Sequence, residues 1–236
     1  MQQNKISIVL PCLNEADAIP NCIVNLLELE RQLHQSSMQL EVLLVDDGSR
    51  DGSADLARKL MPQIKIIKHT KTRGYGSALK SGFQQATGAV VSMMDIDNTY
   101  HPSDILKLYL KLQNESLDLV IGYRAEDMGG FSSWRLFGNY LMRFFAKWLL
   151  NSGDMDICSG MRVMRQPLAS ELTQVKQDGF SYAIAMLEYA HSKGKKLGQI
   201  KIAYSQRLGQ SKLNSLIEGV SHISLIFRFW ISRILQ

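Results

Sequence analysis

The sequence predicts an α/β domain, a mainly parallel sheet with helices on both faces. Three observations predict it. Short β-branched runs that are apolar on both faces recur through the first half, segments of helical spacing separate them, and polar clusters fall where the runs end. Strands without a polar face must be covered on both sides, which a helix after each strand achieves.

The first run is residues 6–10 (ISIVL), closed by Pro11. Ile23, Leu26, Leu27 and Glu30 then follow helical spacing. Residues 41–45 (EVLLV), 64–67 (IKII), 89–94 (AVVSMM) and 117–122 (LDLVIG) read as four further strands, and Leu106, Leu110 and Leu112 mark a helix before the last of them. In such sheets ligands bind beyond the carboxyl ends of the strands. Residues 11–15, 46–49 and 95–97 are the polar clusters that this rule brings to one edge. Asp, Asn, Gly and Ser also suit turns and helix caps, but three acid-bearing strand ends on one edge point to a site.

The 236 residues, 45% hydrophobic and 21% charged with 17 Gly and 5 Pro, exclude a disordered, collagen-like or disulfide-stapled chain. Cys12, Cys22 and Cys158 form no CxxC pair, so no zinc site is readable and a reducing compartment is expected. The apolar run before Pro11 is too short for a secretory signal. No stretch reaches the roughly 18 apolar residues of a membrane span, and Arg228 and Arg233 interrupt the nearest approach, in the last residues.

Net charge is +5. Residues 190–236 hold eight Lys/Arg against the single acid Glu218, which implies an anionic partner on that side. No helix-turn-helix or RNA-binding signature accompanies the basic tail, so nucleic acid is not the expected partner. No GxxxxGK[ST] loop occurs, nor a GxGxxG after the first strand, so a bound diphosphate needs something other than a glycine loop. Asp95 and Asp97, two residues apart after the fourth run, would point the same way about 7 Å apart if the strand stays extended. Two like charges so close need a compensating cation, and a pair short of ligands suits Mg²⁺ or Mn²⁺ completed by waters and substrate phosphates.

At these residues the chain resembles the family-2 glycosyltransferases of the GT-A fold, closest to the group of dolichyl-phosphate mannose synthases and other polyprenyl-phosphate glycosyltransferases. PCLNE (11–15), VDDGSRDGS (45–53), RGYGSALKSGFQQATG (73–88), DIDNTYHP (95–102), GYR (122–124), DICSGMR (156–162) and RLGQSKL (207–213) carry the resemblance, several in the family's order and spacing. It runs from Ile6 to about Leu213, which implies a catalytic domain over residues 1–213 and an amphipathic helix over 214–236.

The resemblance implies transfer of a hexose from a nucleotide-sugar donor to a polyprenyl phosphate, with inversion and with Mg²⁺ or Mn²⁺. The donor stays open between a guanosine-linked mannose and a uridine-linked glucose. Transfer to a saccharide or lipid hydroxyl, or a non-catalytic nucleotide-sugar-binding domain, is the alternative. The resemblance puts Pro11, Leu13, Glu15 and Asp47 at the nucleotide, Asp95 and Asp97 at the metal, and Ile96 and Thr99 beside the diphosphate. It puts Arg124, Arg207 and Lys212 on phosphates, Asp156, Ser159 and Arg162 on the acceptor side, and makes Asp97 and Arg124 the catalytic candidates. Thr99 stands where relatives often carry a metal-side Gln.

Residues 132–150 place Trp134, Phe137, Leu141, Phe144 and Trp148 on one stripe of a helix and Arg135, Arg143 and Lys147 beside it. Ile223, Phe227, Trp230 and Ile234 repeat the theme with Arg228 and Arg233. Such basic aromatic helices suit a membrane surface, and with a lipid acceptor they imply a peripheral protein on the cytoplasmic face. Each cation near an anionic bilayer contributes about 1 kcal/mol, and the rings add a part that salt does not screen. Sedimentation with anionic vesicles should therefore show binding that weakens without vanishing as salt rises, and that falls further in a Trp134→Ser, Trp230→Ser double variant. A chain left in the supernatant at low salt would refute the membrane reading.

Overall fold

A computed structural model of the chain describes residues 2–124, 155–205, 207, 224, 225, 227 and 231. Strand β1 (Gln2–Cys12) sends Ile6, Ile8 and Leu10 to one face of a sheet and Val9 to the other, so both faces are apolar and both are buried. Around it lie β2 (Gln39–Asp46), β3 (Lys65–Lys68), β4 (Gly88–Met93), β5 (Leu119–Arg124), β6 (Arg162–Arg165) and β7 (Leu197–Ile202), in the spatial order β3-β2-β1-β4-β6-β5-β7. Neighbours are parallel except that β6 runs antiparallel to both β4 and β5. The five runs read from the sequence are strands; β6 and β7 are additions to them.

Helices α1 (Ile19–Gln35), α2 (Ser53–Leu60) and α4 (Asp104–Asn114) cover the face that receives Ile6, Ile8 and Leu10. The other face is covered by α3 (Tyr75–Gln85), α5 (Gln166–Leu172) and α6 (Tyr182–Ser192), with Phe83, Leu168 and Ile184 packed around Val9, Val45 and Val91. Each such side chain contributes about 1.5–3 kcal/mol when fully buried. Pro20 in the first turn of α1 occupies a position whose N–H has no helical partner, and Ser37, at φ 55°, ends that helix. Ile23, Leu26 and Leu112 are buried as the helical spacing predicts, and Leu29, Leu33, Ile105 and Leu108 complete the two stripes, while Leu27 and Leu110 are 40% and 49% exposed. A residue next in sequence is rotated by about 100° on a helix, which takes Leu27 off the stripe of Leu26 and Leu33.

Because β1 has β2 on one side and β4 on the other, the chain reverses its direction of sheet building there, and such a switch opens a crevice at the carboxyl ends of the strands. That edge holds the polar clusters. Towards the opposite edge Glu41, buried in β2, ties together β1, β2, β3 and the residue that precedes β4. It accepts from Ser7 Oγ at 2.5 Å, Lys65 Nζ at 2.5 Å and the Thr87 N–H at 2.9 Å, with Lys5 Nζ at 3.4 Å.

Burial alone would raise the pKa of Glu41, but the bonds from Lys65, Ser7 and Thr87 outweigh it and hold the carboxyl at about 2. A folded value below the unfolded one, about 4.3, means that this stabilisation is complete above that pH and is lost as pH falls towards 2. Glu41→Gln should cost roughly 1.5–3 kcal/mol in urea unfolding at pH 7, with the gap to the unchanged protein closing under acid. A gap that is constant from pH 7 to pH 2 would show that the charge of Glu41 contributes nothing.

Candidate active site

The loops after β1 and β2 are stitched together by backbone N–H groups and short polar side chains, which explains why these residue types follow those strands. The Asn14 N–H donates to Ser49 Oγ (2.9 Å), and Asn14 Oδ1 accepts from the Arg50 N–H (2.8 Å). Next to them the Glu15 N–H donates to Ser53 Oγ and the Ala16 N–H to Asp51 Oδ2, both at 2.9 Å. Asn14 takes φ 50°, a left-handed conformation that Asn tolerates better than most residues. Pro11, Leu13 and Glu15 are thereby fixed, partly exposed, at the carboxyl edge.

Asp47 is turned towards the chain. Its Oδ1 accepts from the Arg73 N–H (2.9 Å) and its Oδ2 from the Gly74 N–H (2.8 Å), while His69 Nδ1 lies 2.6 Å from Oδ1 and His69 Nε2 2.9 Å from Ser81 Oγ. A nucleotide contact by Asp47 has to share a carboxylate that already holds the Arg73–Gly74 turn. Gly74, at φ 105°, and Gly76 are needed there: a Cβ on Gly74 would stand 2.6 Å from the Asp178 carbonyl, and one on Gly76 2.6 Å from Tyr182 Cβ. The RGYG segment is therefore a close-approach turn.

The paired acids do not continue the strand. β4 ends at Met93, and residues 95–98 form a bend closed by the Asn98 N–H on the Ile96 carbonyl (2.7 Å), with Asn98 at φ 68°. The extended geometry expected for Asp95 and Asp97 is thus replaced by a turn, which brings the two carboxylates into electrostatic contact by another route. Asp97 Oδ1 accepts from the Thr99 N–H (3.1 Å) and Thr99 Oγ1 (2.5 Å). Asp95 Oδ1 accepts from the Tyr75 hydroxyl (2.9 Å). Burial, and then the charge of Asp97, push the pKa of Asp95 up. Two expected site residues sit inside this bend: the Ile96 side chain is buried in the core, and the buried Thr99 hydroxyl donates to Asp97.

Residues 203–205 and Arg207 strap this bend. The Ala203 N–H donates to Asp104 Oδ2 (3.2 Å) and the Ser205 N–H to the Thr99 carbonyl (2.9 Å), which delivers Arg207 to the acids. Arg207 Nη1 is 3.2 Å from Asp97 Oδ2 and Nη2 is 3.3 Å from Glu15 Oε1, so one guanidinium joins the first-strand loop to the bend. Lys212 lies outside the described residues, as do residues 132–150; of the C-terminal stretch, Leu225 is buried and Phe227 and Ile231 are exposed.

On the side of β5 and β6, Arg124 forms a two-pronged pair with Asp156, Nε to Oδ2 at 2.8 Å and Nη2 to Oδ1 at 2.9 Å, and its guanidinium lies 5.4 Å from the centre of the Tyr204 ring. Ser159 and Arg162, expected on the acceptor side, both have no exposed surface. Ser159 Oγ donates to the Gly122 carbonyl (2.6 Å), and Arg162 donates to the carbonyls of Ser159, Ala183 and Ile157. Burial pulls the pKa of Arg162 down. These two residues shape the 156–162 turn from within, because a buried guanidinium with carbonyl partners satisfies backbone groups that water cannot reach. Gly160 lets that turn close on the acids: its N–H donates to the Tyr100 hydroxyl (2.8 Å), and a Cβ there would stand 2.2 Å from Asp95 Oδ2.

Reading the sequence did not single out Tyr75, His69, Tyr100 or Tyr204 as site residues, although Tyr75 and Tyr100 lie inside quoted motifs and Tyr204 stands three residues before Arg207. Among the described residues no cluster of three or more His, Cys, Asp or Glu is arranged to hold a metal. The donor set is two carboxylates, hard oxygen ligands with the rest of a shell left to water and phosphate, and this fits Mg²⁺ or Mn²⁺. The absence of a side chain at Gly160 is what lets the Asp95 carboxylate take its place beside that turn. Burial raises the thiols of Cys12 and Cys22 to about 12 and that of Cys158 to about 11, so none is a thiolate nucleophile.

Known proteins share this architecture. The chain is 27% identical over 220 residues to the polyprenol monophosphomannose synthase of Mycolicibacterium smegmatis, covering 88% of this chain and 80% of that one. It is 26% identical over 233 residues to the undecaprenyl-phosphate mannosyltransferase of Micrococcus luteus, covering 94% and 92%. The fold matches that of glucosyl-3-phosphoglycerate synthase from Mycobacterium tuberculosis, a crystal structure with Mn²⁺, UDP and glucosyl-3-phosphoglycerate, at a TM-score of 0.74 and 21% identity over 98% of this chain and 80% of that one. Residues 7–173 match the profile described as Glycosyl transferase family 2. The chain belongs to that family and is a glycosyltransferase with a GT-A-like sheet.

Proposed function

We propose that this glycosyltransferase moves a hexose, mannose in the first instance, from a nucleoside-diphosphate sugar to a polyprenyl phosphate at a membrane surface, on the cytoplasmic side. The observation that carries the reading is the meeting of a two-carboxylate seat, Asp95 and Asp97, with two guanidinium groups, Arg207 and Arg124, at one sheet edge. That is the charge pattern for two phosphate-bearing substrates. The two mannosyltransferases whose names specify polyprenyl-phosphate chemistry support the same acceptor, since this chain aligns with most of their length.

In the proposed reaction a phosphate oxygen of the acceptor forms a bond to the anomeric carbon. The bond from that carbon to the diphosphate oxygen breaks, and its electron pair leaves with the nucleoside diphosphate. Attack from the opposite side inverts the configuration. A phosphate monoester is anionic near neutral pH, so no proton has to be removed and positioning supplies most of the rate. This agrees with Asp97, whose oxygens accept from Thr99 and face Arg207. Asp95 and Asp97 would hold Mg²⁺ or Mn²⁺, whose charge offsets the charge growing on the leaving diphosphate. Arg207 stands on the donor side, and Arg124, oriented by Asp156 and backed by Tyr204, on the acceptor side.

The test is a transfer assay with GDP-mannose and UDP-glucose against mixed polyprenyl phosphates. Mannosyl transfer that EDTA abolishes and Mn²⁺ restores is expected; nucleotide release only with a saccharide acceptor would refute the reading. Arg124→Ala should lower kcat/KM for the lipid phosphate by the equivalent of roughly 2–5 kcal/mol, because its removal strands the buried Asp156. Normal transfer by this variant would move the acceptor site away from β5.

A further inference from the structure

Tyr75 does something that neither the family motifs nor the proposed reaction assigns. It sits at the first position of α3, between Gly74 and Gly76, and its hydroxyl is 2.9 Å from Asp95 Oδ1. The other oxygen of that carboxylate, Oδ2, is packed against Gly160, where there is no room for a side chain. Asp95 is therefore gripped from two sides, by a donated hydrogen bond and by a surface of the 156–162 turn.

The tyrosine is itself held firmly. Its ring stacks on Phe180 with centroids 5.1 Å apart and planes 22° from parallel. The segment that carries Phe180 is fastened to α3 independently: Ser77 Oγ and Lys80 Nζ donate to Asp178 Oδ1 at 2.8 and 2.6 Å, and the Ser77 N–H donates to the Asp178 carbonyl at 3.1 Å. Gly74 and Gly76 permit the approach that makes these contacts. A ring fixed on one face, with its hydroxyl on a carboxylate, leaves that carboxylate little freedom to rotate.

We propose that Tyr75, clamped by Phe180, is a positioning residue that presets the Asp95 carboxylate for a divalent cation and the donor diphosphate. The proposal rests on the reading that Asp95 and Asp97 form the cation seat. A carboxylate free to turn must be ordered when the cation arrives, whereas one already oriented does not, and partners of this second kind commonly govern metal affinity by about 10- to 100-fold. Phe180 then extends the device: the loop before α6, which makes no bond to the acids itself, affects the cation through the angle of one ring.

Thermal unfolding of the intact chain, followed while Mn²⁺ is titrated at a fixed concentration of GDP or UDP, tests this without relying on turnover, since a bound ligand raises the midpoint by mass action. The variants are Tyr75→Phe, which keeps the ring and its stacking, Phe180→Leu, which keeps the hydroxyl, and Asp95→Asn. Tyr75→Phe should need about tenfold more Mn²⁺ for the same rise and reach the same plateau, with Phe180→Leu intermediate. In the transfer assay the same change should appear as a raised KM for Mn²⁺ with kcat at saturating metal much less affected. If Asp95→Asn loses the response to Mn²⁺ while Tyr75→Phe titrates like the unchanged protein, the proposal is overturned and the seat stands, and a lowered midpoint at every Mn²⁺ concentration with no shift in the requirement overturns it equally. If Asp95→Asn still responds normally, the seat itself is wrong and the proposal falls with it.

Discussion

The rest of the site depends on one constraint: acidic side chains gathered at a single sheet edge must each find a positive or hydrogen-bonding partner. Asp47, Asp97 and Asp156 are buried, and Glu15 and Asp95 stand beside them partly exposed. Leaving such groups unpaired would cost several kcal/mol apiece. Each partner comes from a different part of the chain: the Arg73–Gly74 backbone for Asp47, Tyr75 for Asp95, Arg124 for Asp156, and Arg207 for both Glu15 and Asp97. The acids thus organise the loops as much as the loops place the acids. The same need explains the glycines at 74, 76 and 160, because partners arriving from several directions leave no volume for a Cβ where the chains cross.

Much of this was legible in the sequence, for identifiable reasons. β1, β2, β4 and β5 bury apolar residues on both faces, which a strand covered by helices on either side explains, and the short β3 (Lys65–Lys68) follows the same helix-strand alternation. The clusters after β1, β2 and β4 fall at the carboxyl edge because a parallel sheet leaves them nowhere else. What stayed hidden depends on tertiary context. β6 is four residues long and antiparallel, and β7 alternates only weakly, so neither has a periodic signal of its own. The bend at Asp95–Asp97 is set by Asn98 in the left-handed region, a possibility that an extended reading of the apolar run passes over. Arg162 is the sharpest case. An arginine inside a motif looks like a phosphate ligand, and only the carbonyls of Ser159, Ala183 and Ile157 around it reveal a buried brace.

Electrostatics also distinguishes the two kinds of acceptor that a family-2 glycosyltransferase can meet. A hydroxyl acceptor must lose a proton, so its site needs a carboxylate whose lone pairs face the substrate. Asp97 accepts two bonds from Thr99 and pairs with Arg207, and Asp156 accepts a guanidinium fork and the Arg124 N–H. A phosphate acceptor brings its own charge and asks instead for cations held in place, which is what Asp156 and Tyr204 do for Arg124. Orienting a cation with a carboxylate has a cost, since the carboxylate also repels the incoming phosphate. The arrangement works when Asp156 and Tyr204 fix the plane of the arginine while its charge still attracts the substrate phosphate. On that reading Asp156 contributes geometry rather than charge, and the proposed acceptor site is a preset fork on the end of β5, reached from the same edge as the donor.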